Sequence, residues 1–170
     1  MSSDLRSEES VQIRTADLWQ PDDSAAVLLL LDHYAADPMG AGRALEAEAR
    51  ACLVPALRAV PGVLVLLAWA GGRPVGVAVC FAGFSTFRAR GLFNVHDLAV
   101  LSGWRGQGIG GRLLAAVEAE ARARGYCKVT LEVRADNEVA LALYRRLGYG
   151  AGVSAGQPAQ YLFMERRLDD

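Results

Sequence analysis

Between Leu92 and Arg124 the chain reads LFNVHDLAV, then LSGWRGQGIGG, then RLLAAVEAEARAR. An apolar strand, interrupted by Asn94, His96 and Asp97, runs into a glycine-rich turn that opens a long amphipathic helix. Ile109, Leu113, Val117 and Ala121 recur at steps of four, Leu114 and Ala116 widen the stripe, and Arg112, Glu118, Glu120, Arg122 and Arg124 form the outer face. Gly125 is placed to end the helix, and KVTLEV, Lys128–Val133, begins a new strand. Gly106, Gly108, Gly110 and Gly111 stand where the helix starts. The first amides of a helix have no partner inside it, and residues without Cβ let an anion approach them closely, so the turn predicts an anion site with phosphate as its natural guest.

The rest of the chain decides which kind of phosphate site this is. Gly106, Gly108 and Gly111 satisfy G-x-G-x-x-G, the dinucleotide fingerprint, with Glu132 as its ribose-binding acid. That fingerprint needs its first glycine tight against the strand, whereas Leu101 to Arg105 intervene, and it needs parallel strand-helix units upstream, where the chain reads as hairpins. No G-x-x-x-x-G-K-[ST] sequence occurs, which excludes a P-loop.

In order, Met1 to Ser10 is polar enough to be a disordered tail, and residues 11–170 read as one domain. VQIR, Val11–Arg14, alternates as a first strand. Asp22, Asp23 and Ser24 offer caps for a helix from Ala25 to about Ala36, and Ala44 to Ala59 reads as a second helix that Pro55 should bend or split. Val63–Ala70 and Pro74–Phe84 are strands joined by Gly71, Gly72 and Arg73, a hairpin signal. Ser85 to Gly91 turns the chain into the central strand, and a last strand is expected near Gln160 to Leu168. The order predicts an α/β protein with a mixed sheet and helices on its faces.

Composition narrows the partners. A net charge of -1 over 170 residues does not supply the concentrated basic surface a nucleic-acid binder needs. Cys52, Cys80 and Cys127 have no C-x-x-C spacing, which suits reduced thiols in a cytoplasm rather than disulfides or a metal site. The Val63–Ala70 run is too short for a membrane span, and MSSDLRSEES has no apolar signal core.

Arg105, Gly106, Gln107, Gly108, Ile109 and Gly110 spell R-x-x-G-x-G, and Asn137, Ala140, Leu143, Tyr144, Leu147, Gly148 and Tyr149 fit N-x-x-A-x-x-L-Y-x-x-x-G-F with Tyr in place of the final Phe. These two motifs, around the KVTLEV strand, resemble the acetyl-CoA-binding signatures of the GCN5-related N-acetyltransferase (GNAT) superfamily over about Gly76 to Tyr149. The resemblance implies the GNAT fold: a mostly antiparallel sheet, a splayed parallel strand pair and helices on both faces. It also implies acetyl-CoA as co-substrate. The diphosphate would take the amides from Gln107 to Arg112, with Arg105 and Arg112 adding charge. The pantetheine arm would bond the backbone of Leu98, Ala99 and Val100, and Asn137 would both cap its helix and touch that arm. Gly111 completes the turn.

Tyr144 matches the family tyrosine that protonates the departing thiolate; a phenol with an ordinary pKa of about 10 keeps its proton at neutral pH. The base is less narrowly defined. His96 and Asp97 match a stretch of diamine acetyltransferases that carries a Glu-Asp pair, with His96 standing where their glutamate stands, and strand alternation puts the two on opposite faces. Glu132, in LEVRADN, resembles the glutamate that ribosomal-protein and other peptide N-terminal acetyltransferases use; a water chain without a single base is the third option. In the family the first two helices wall the acceptor site, which makes Asp32, His33, Tyr34, Asp37 and Met39 substrate neighbours to test. Cys127 reads as a packing residue, and Trp104 as packing rather than adenine-binding. The resulting expectation is a GNAT N-acetyltransferase that acts on a primary amine of a small polyamine-like or amino-acid-like molecule. Peptide N-termini or lysines are the alternative acceptors, a non-catalytic acyl-CoA-binding regulator the alternative of another class, and a homodimer through the last strand a further expectation.

Overall fold

The computed structural model describes residues 10–150 and the backbone of two short strands beyond them. The chain divides into two compact units, Met1–Arg134 and Ala135–Asp170. The first holds a five-stranded sheet in the order β1 (Gln12–Thr15), β2 (Leu64–Ala70), β3 (Arg73–Ser85), β4 (Arg90–Val100), β5 (Val129–Leu131). Neighbours are antiparallel except β4 and β5, which run parallel. That pair is joined only from Phe93 with Val129 to Val95 with Leu131, so the second half of β4 has lost β5 from its side. This is the splayed pair the motifs implied.

Alternation along the strands divides the apolar residues between two faces. Val65, Leu67, Val77, Val79 and Ala99 pack with Val27, Leu30 and Leu31 of α1 (Pro21–Ala36) and with Val54 and Leu57 of α2 (Ala47–Ala59). The opposite face is covered by α3 (Ile109–Ala123), which crosses β2, β3 and β4 and buries Ile109, Leu113, Leu114 and Val117. Each of these large side chains is worth roughly 1.5 to 3 kcal/mol when fully removed from water. Gly76 permits the approach: a Cβ there would lie 3.2 Å from a Leu113 methyl and 3.2 Å from the Ala99 carbonyl oxygen.

Three element boundaries differ from the sequence expectation. Helix α1 begins at Pro21, whose missing N–H costs nothing in a first turn, and Asp22 and Asp23 lie inside that turn rather than capping it. Asp23 is buried and accepts two bonds from Arg14 of β1, at 2.7 and 2.5 Å, and one from the Asp17 amide at 2.8 Å. Helix α2 starts at Ala47, not Ala44, and runs unbroken through Pro55. Pro55 and Ala51 are both exposed, so the bond that proline cannot donate is lost on the solvent side of the helix, where the loss costs least. Strand β5 is only three residues long, shorter than KVTLEV.

The second unit contains α4 (Glu138–Arg146) and the strands β6 (Val153–Ser154) and β7 (Gln157–Pro158), which pair antiparallel. Asn137 caps α4, its side-chain oxygen accepting from the Ala140 amide at 3.1 Å, as its place in the sequence predicts. The strand expected near Gln160 to Leu168, and the dimer expected through it, lie outside the described residues.

Candidate active site

Strand β4 ends at Val100, a single tight turn covers Ser102–Trp104, and Arg105 leads into the glycines. Gly106 and Gly108 have φ of +79° and +76°, a left-handed conformation that side chains with a Cβ rarely adopt, and nothing lies within 4 Å of where a Cβ would stand at either. Gly108 caps α3, and Arg112 is the first residue to donate within that helix, to the Gly108 carbonyl at 3.1 Å. The amides of Ile109, Gly110 and Gly111 therefore head a 15-residue helix with the positive end of its dipole at an open backbone cradle. These residues fit a diphosphate without help from a side chain. Both arginines assigned to add charge there bond within the chain. Arg105 donates to Asp37 at 2.7 Å and to the Val100 carbonyl at 3.0 Å, and Arg112 donates to the Val11 carbonyl.

Beside the cradle, the edge of β4 that β5 has left carries Leu98, Ala99 and Val100. Their side chains are buried or half-buried, while their other edge is paired with Ala78, Val77 and Gly76 of β3. Main-chain groups on the open side are what a pantetheine arm would meet.

The middle of β4 corrects one reading. The register slips so that Val79 faces Asp97 and Cys80 faces Val95, leaving His96 as an extra residue without a partner. A bulge resets alternation, so His96 and Asp97 share a face instead of opposing each other. His96 lies edge-on to Phe81, ring centroids 5.4 Å apart, and Phe81 belongs to the α1–α2 side; Asp97 is near enough to Tyr34 of α1 to raise its phenol. Asn94 shares that face and donates to both oxygens of Glu132, at 3.3 and 3.1 Å, and to the Thr130 hydroxyl at 3.3 Å. All three base candidates, His96, Asp97 and Glu132, thus border one side of the fork between β4 and β5.

Burial pushes the Asp97 carboxyl above its ordinary range, and neighbouring His96 opposes the shift. Burial likewise raises the Tyr34 phenol, with Asp97 and Asp37 adding to it. The Cys80 thiol, buried on the far face, is pushed up to about 12 and is inert as a nucleophile. Of the expected substrate neighbours, Asp32 holds the Leu45 amide at 3.0 Å and pairs with Arg50, and Asp37 holds Arg105; both carboxylates organise the chain after α1. In the second unit, the rings of Tyr144 and Tyr149 lie 6.0 Å apart, and Gly148 turns the chain after α4 with φ of +86°. Tyr34 is among the expected substrate neighbours, but sequence spacing gives no sign of the bulge, of the Asn94–Glu132 contact or of the nearness of Tyr34 to Asp97, because each depends on strand register or on contacts between distant elements. Among the described residues no group of His, Cys, Asp and Glu could hold a metal ion, and no helix is long and apolar enough to cross a membrane.

A sheet forked at β4 and β5, with a left-handed glycine turn heading the helix between them, is the mixed α/β fold that the two sequence motifs implied. Residues 25–149 match the acetyltransferase (GNAT) family, and the chain belongs to it. It is 41% identical over 83 residues to N-alpha-acetyltransferase RimI of Mycobacterium tuberculosis (strain ATCC 25618 / H37Rv), a match over 48% of this chain and 51% of that protein. The chain thus spans about half the length of this curated relative. Among solved structures, it is similar to ribosomal-protein-alanine N-acetyltransferase from Brucella melitensis biovar Abortus 2308, with TM-score 0.69, 20% identity, and coverage of 92% of this chain and 100% of that one. It is also similar to AAC(6')-Iy in complex with the bisubstrate analog CoA-S-monomethyl-acetylneamine, with TM-score 0.71, 15% identity, and coverage of 92% and 98%.

Proposed function

We propose that this protein is an acetyl-CoA-dependent N-acetyltransferase that acts by direct transfer to a primary amine. The observation that carries the reading is the left-handed Gly106–Gly108 turn at the head of α3, next to a β4 edge vacated by β5. Bound there, acetyl-CoA supplies an activated acyl thioester. The amides from Gln107 to Gly111 hold its diphosphate, the Arg112 amide being bonded to the Gly108 carbonyl, and the backbone of Leu98, Ala99 and Val100 orients its arm toward the fork. Asn137 adds a polar contact to the arm, and Tyr144 holds a proton on its hydroxyl for the departing thiolate.

On the acceptor side, an ammonium with an ordinary pKa of about 10 must lose a proton before it attacks. His96, Asp97 and Glu132 line the route for that proton, directly or through water. Small amines remain the first acceptor class, supported by an acidic face and by the diamine-like stretch around His96 and Asp97. A peptide α-amine is the second, favoured by the Asn94-held Glu132 and by the RimI relationship.

Isothermal titration with acetyl-CoA, followed by thiol release against polyamines, amino acids, aminoglycosides and short peptides, tests the reading. Binding with release on one amine class establishes the enzyme and ranks its acceptors. Binding without release on any class supports a regulatory acyl-CoA-binding domain, and no binding sinks the proposal. Tyr144→Phe is expected to lower turnover by about 100-fold or more while acetyl-CoA still binds. Equal loss of binding and turnover would make Tyr144 structural.

A further inference from the structure

Asp37, the residue that ends α1, is bonded on every side. Its carbonyl accepts from the amides of Gly40 at 2.8 Å and Gly42 at 3.1 Å, and its carboxylate accepts from the Met39 amide at 2.8 Å. The same carboxylate takes Arg105 at 2.7 Å, from the turn that precedes α3 and 68 residues along the chain. Arg105 in turn donates its Nε to the carbonyl of Val100, the last residue of β4.

Resting on the acetyl-CoA reading above, we propose that Asp37 is a positioning residue for the cofactor turn: through Arg105 it fixes the β4–α3 connection in the arrangement that receives acetyl-CoA. Within the turn, the Arg105 amide donates to the Ser102 carbonyl at 3.3 Å and the Gln107 side chain to the Gly103 carbonyl at 3.5 Å, both local bonds that do not tie it to another element. Gly106 and Gly108 meet no neighbouring atoms where side chains would stand, and Gln107 is exposed. An exposed ion pair is ordinarily worth little. This one is different in kind, because the Asp37 side chain is only 14% exposed and Arg105 is fixed by two acceptors at once, one of them on the strand that ends at the cradle. A turn left free must be ordered when ligand binds, and that ordering is subtracted from affinity; a turn already fixed avoids the loss. The arrangement also joins the segment after α1 to the diphosphate site through one carboxylate. Arg105, with the Met39 amide, lowers the Asp37 carboxyl from its ordinary range, so the charge is present throughout neutral pH.

Titration calorimetry of the full chain with acetyl-CoA tests this on wild type, Asp37→Asn, Asp37→Glu, Arg105→Gln and the Asp37→Asn/Arg105→Gln double variant. Asparagine keeps an oxygen for the Met39 amide, so the loop's own bond survives while the charge is lost. Asp37→Asn and Arg105→Gln are each expected to raise Kd about tenfold, the double variant to bind no worse than Arg105→Gln, and Asp37→Glu to return to within about threefold of wild type. If Asp37→Asn binds as well as wild type or more tightly, Arg105 serves the diphosphate directly and the inference is overturned. Additive losses, or no recovery in Asp37→Glu, overturn it as well. Failure of the wild type to bind would overturn the acetyl-CoA reading itself, whereas wild-type binding with an unaffected Asp37→Asn removes this inference alone.

Discussion

Asp23 and Asp97 are the same residue type in opposite situations. Asp23 is 2% exposed but fully bonded, and Arg14 holds its carboxyl below the ordinary range. A depressed carboxyl contributes stability above its unfolded pKa and loses it as pH falls through the folded one. Asp23→Asn is therefore expected to cost about 2 kcal/mol at neutral pH, moderated by the half-exposed Arg14 and shrinking in acid, as read from denaturant melts across pH. Asp97 runs the other way. Burial raises it, so its favourable contribution is present in acid and is lost as pH rises from the ordinary carboxyl range through the raised value. Asp97→Asn should raise the melting temperature at neutral pH, with the gain fading toward the ordinary carboxyl range; a variant less stable at neutral pH would show that the carboxylate has a stabilising partner. A carboxyl that burial raises, on the face that holds His96 and Glu132, is compatible with the base role proposed for Asp97.

At the scale of elements, the proposed chemistry rests on the fork between β4 and β5 and on helix α3 between them. Helix α3 sits close to β3 because Gly76 has no side chain, and Gly76→Ala is expected to destabilise by about 1 to 3 kcal/mol, since both the Leu113 methyl and the Ala99 carbonyl would have to move. Gly108→Val tests the turn itself: a β-branched residue at φ +76° is strained, and the backbone there is where the ligand must come close. Loss of acetyl-CoA binding with helical circular dichroism retained is the expected result. Normal binding would move the diphosphate elsewhere. The β4 bulge acts at this scale too, because one extra residue turns a pair of side chains that would point apart into neighbours on one face.

For the molecule as a whole, ligand binding and folding are linked. Acetyl-CoA at about 100 times its Kd should stabilise the wild type by about 2.7 kcal/mol and raise its melting temperature by a few degrees. Gly108→Val should show no such rise. A shift of equal size in both would mean that the stabilising ligand does not use the turn.

Much of this protein was legible in its sequence because it is written locally. The periodicity of α3, the glycines at its head, the β2–β3 hairpin and the Asn137 cap each depend on residues within a few positions of one another, and the two motifs that place the chain among the GNAT acetyltransferases are themselves local strings. Tertiary structure decided what involves distant partners. Arg14 meets Asp23 across a strand and a helix, Asn94 reaches Glu132 across the fork, and Arg105 finds Asp37 from 68 residues away, contacts for which no spacing rule exists. Even the face on which Asp97 stands depended on a slip of register against β3, because strand alternation holds only as long as each residue keeps a partner.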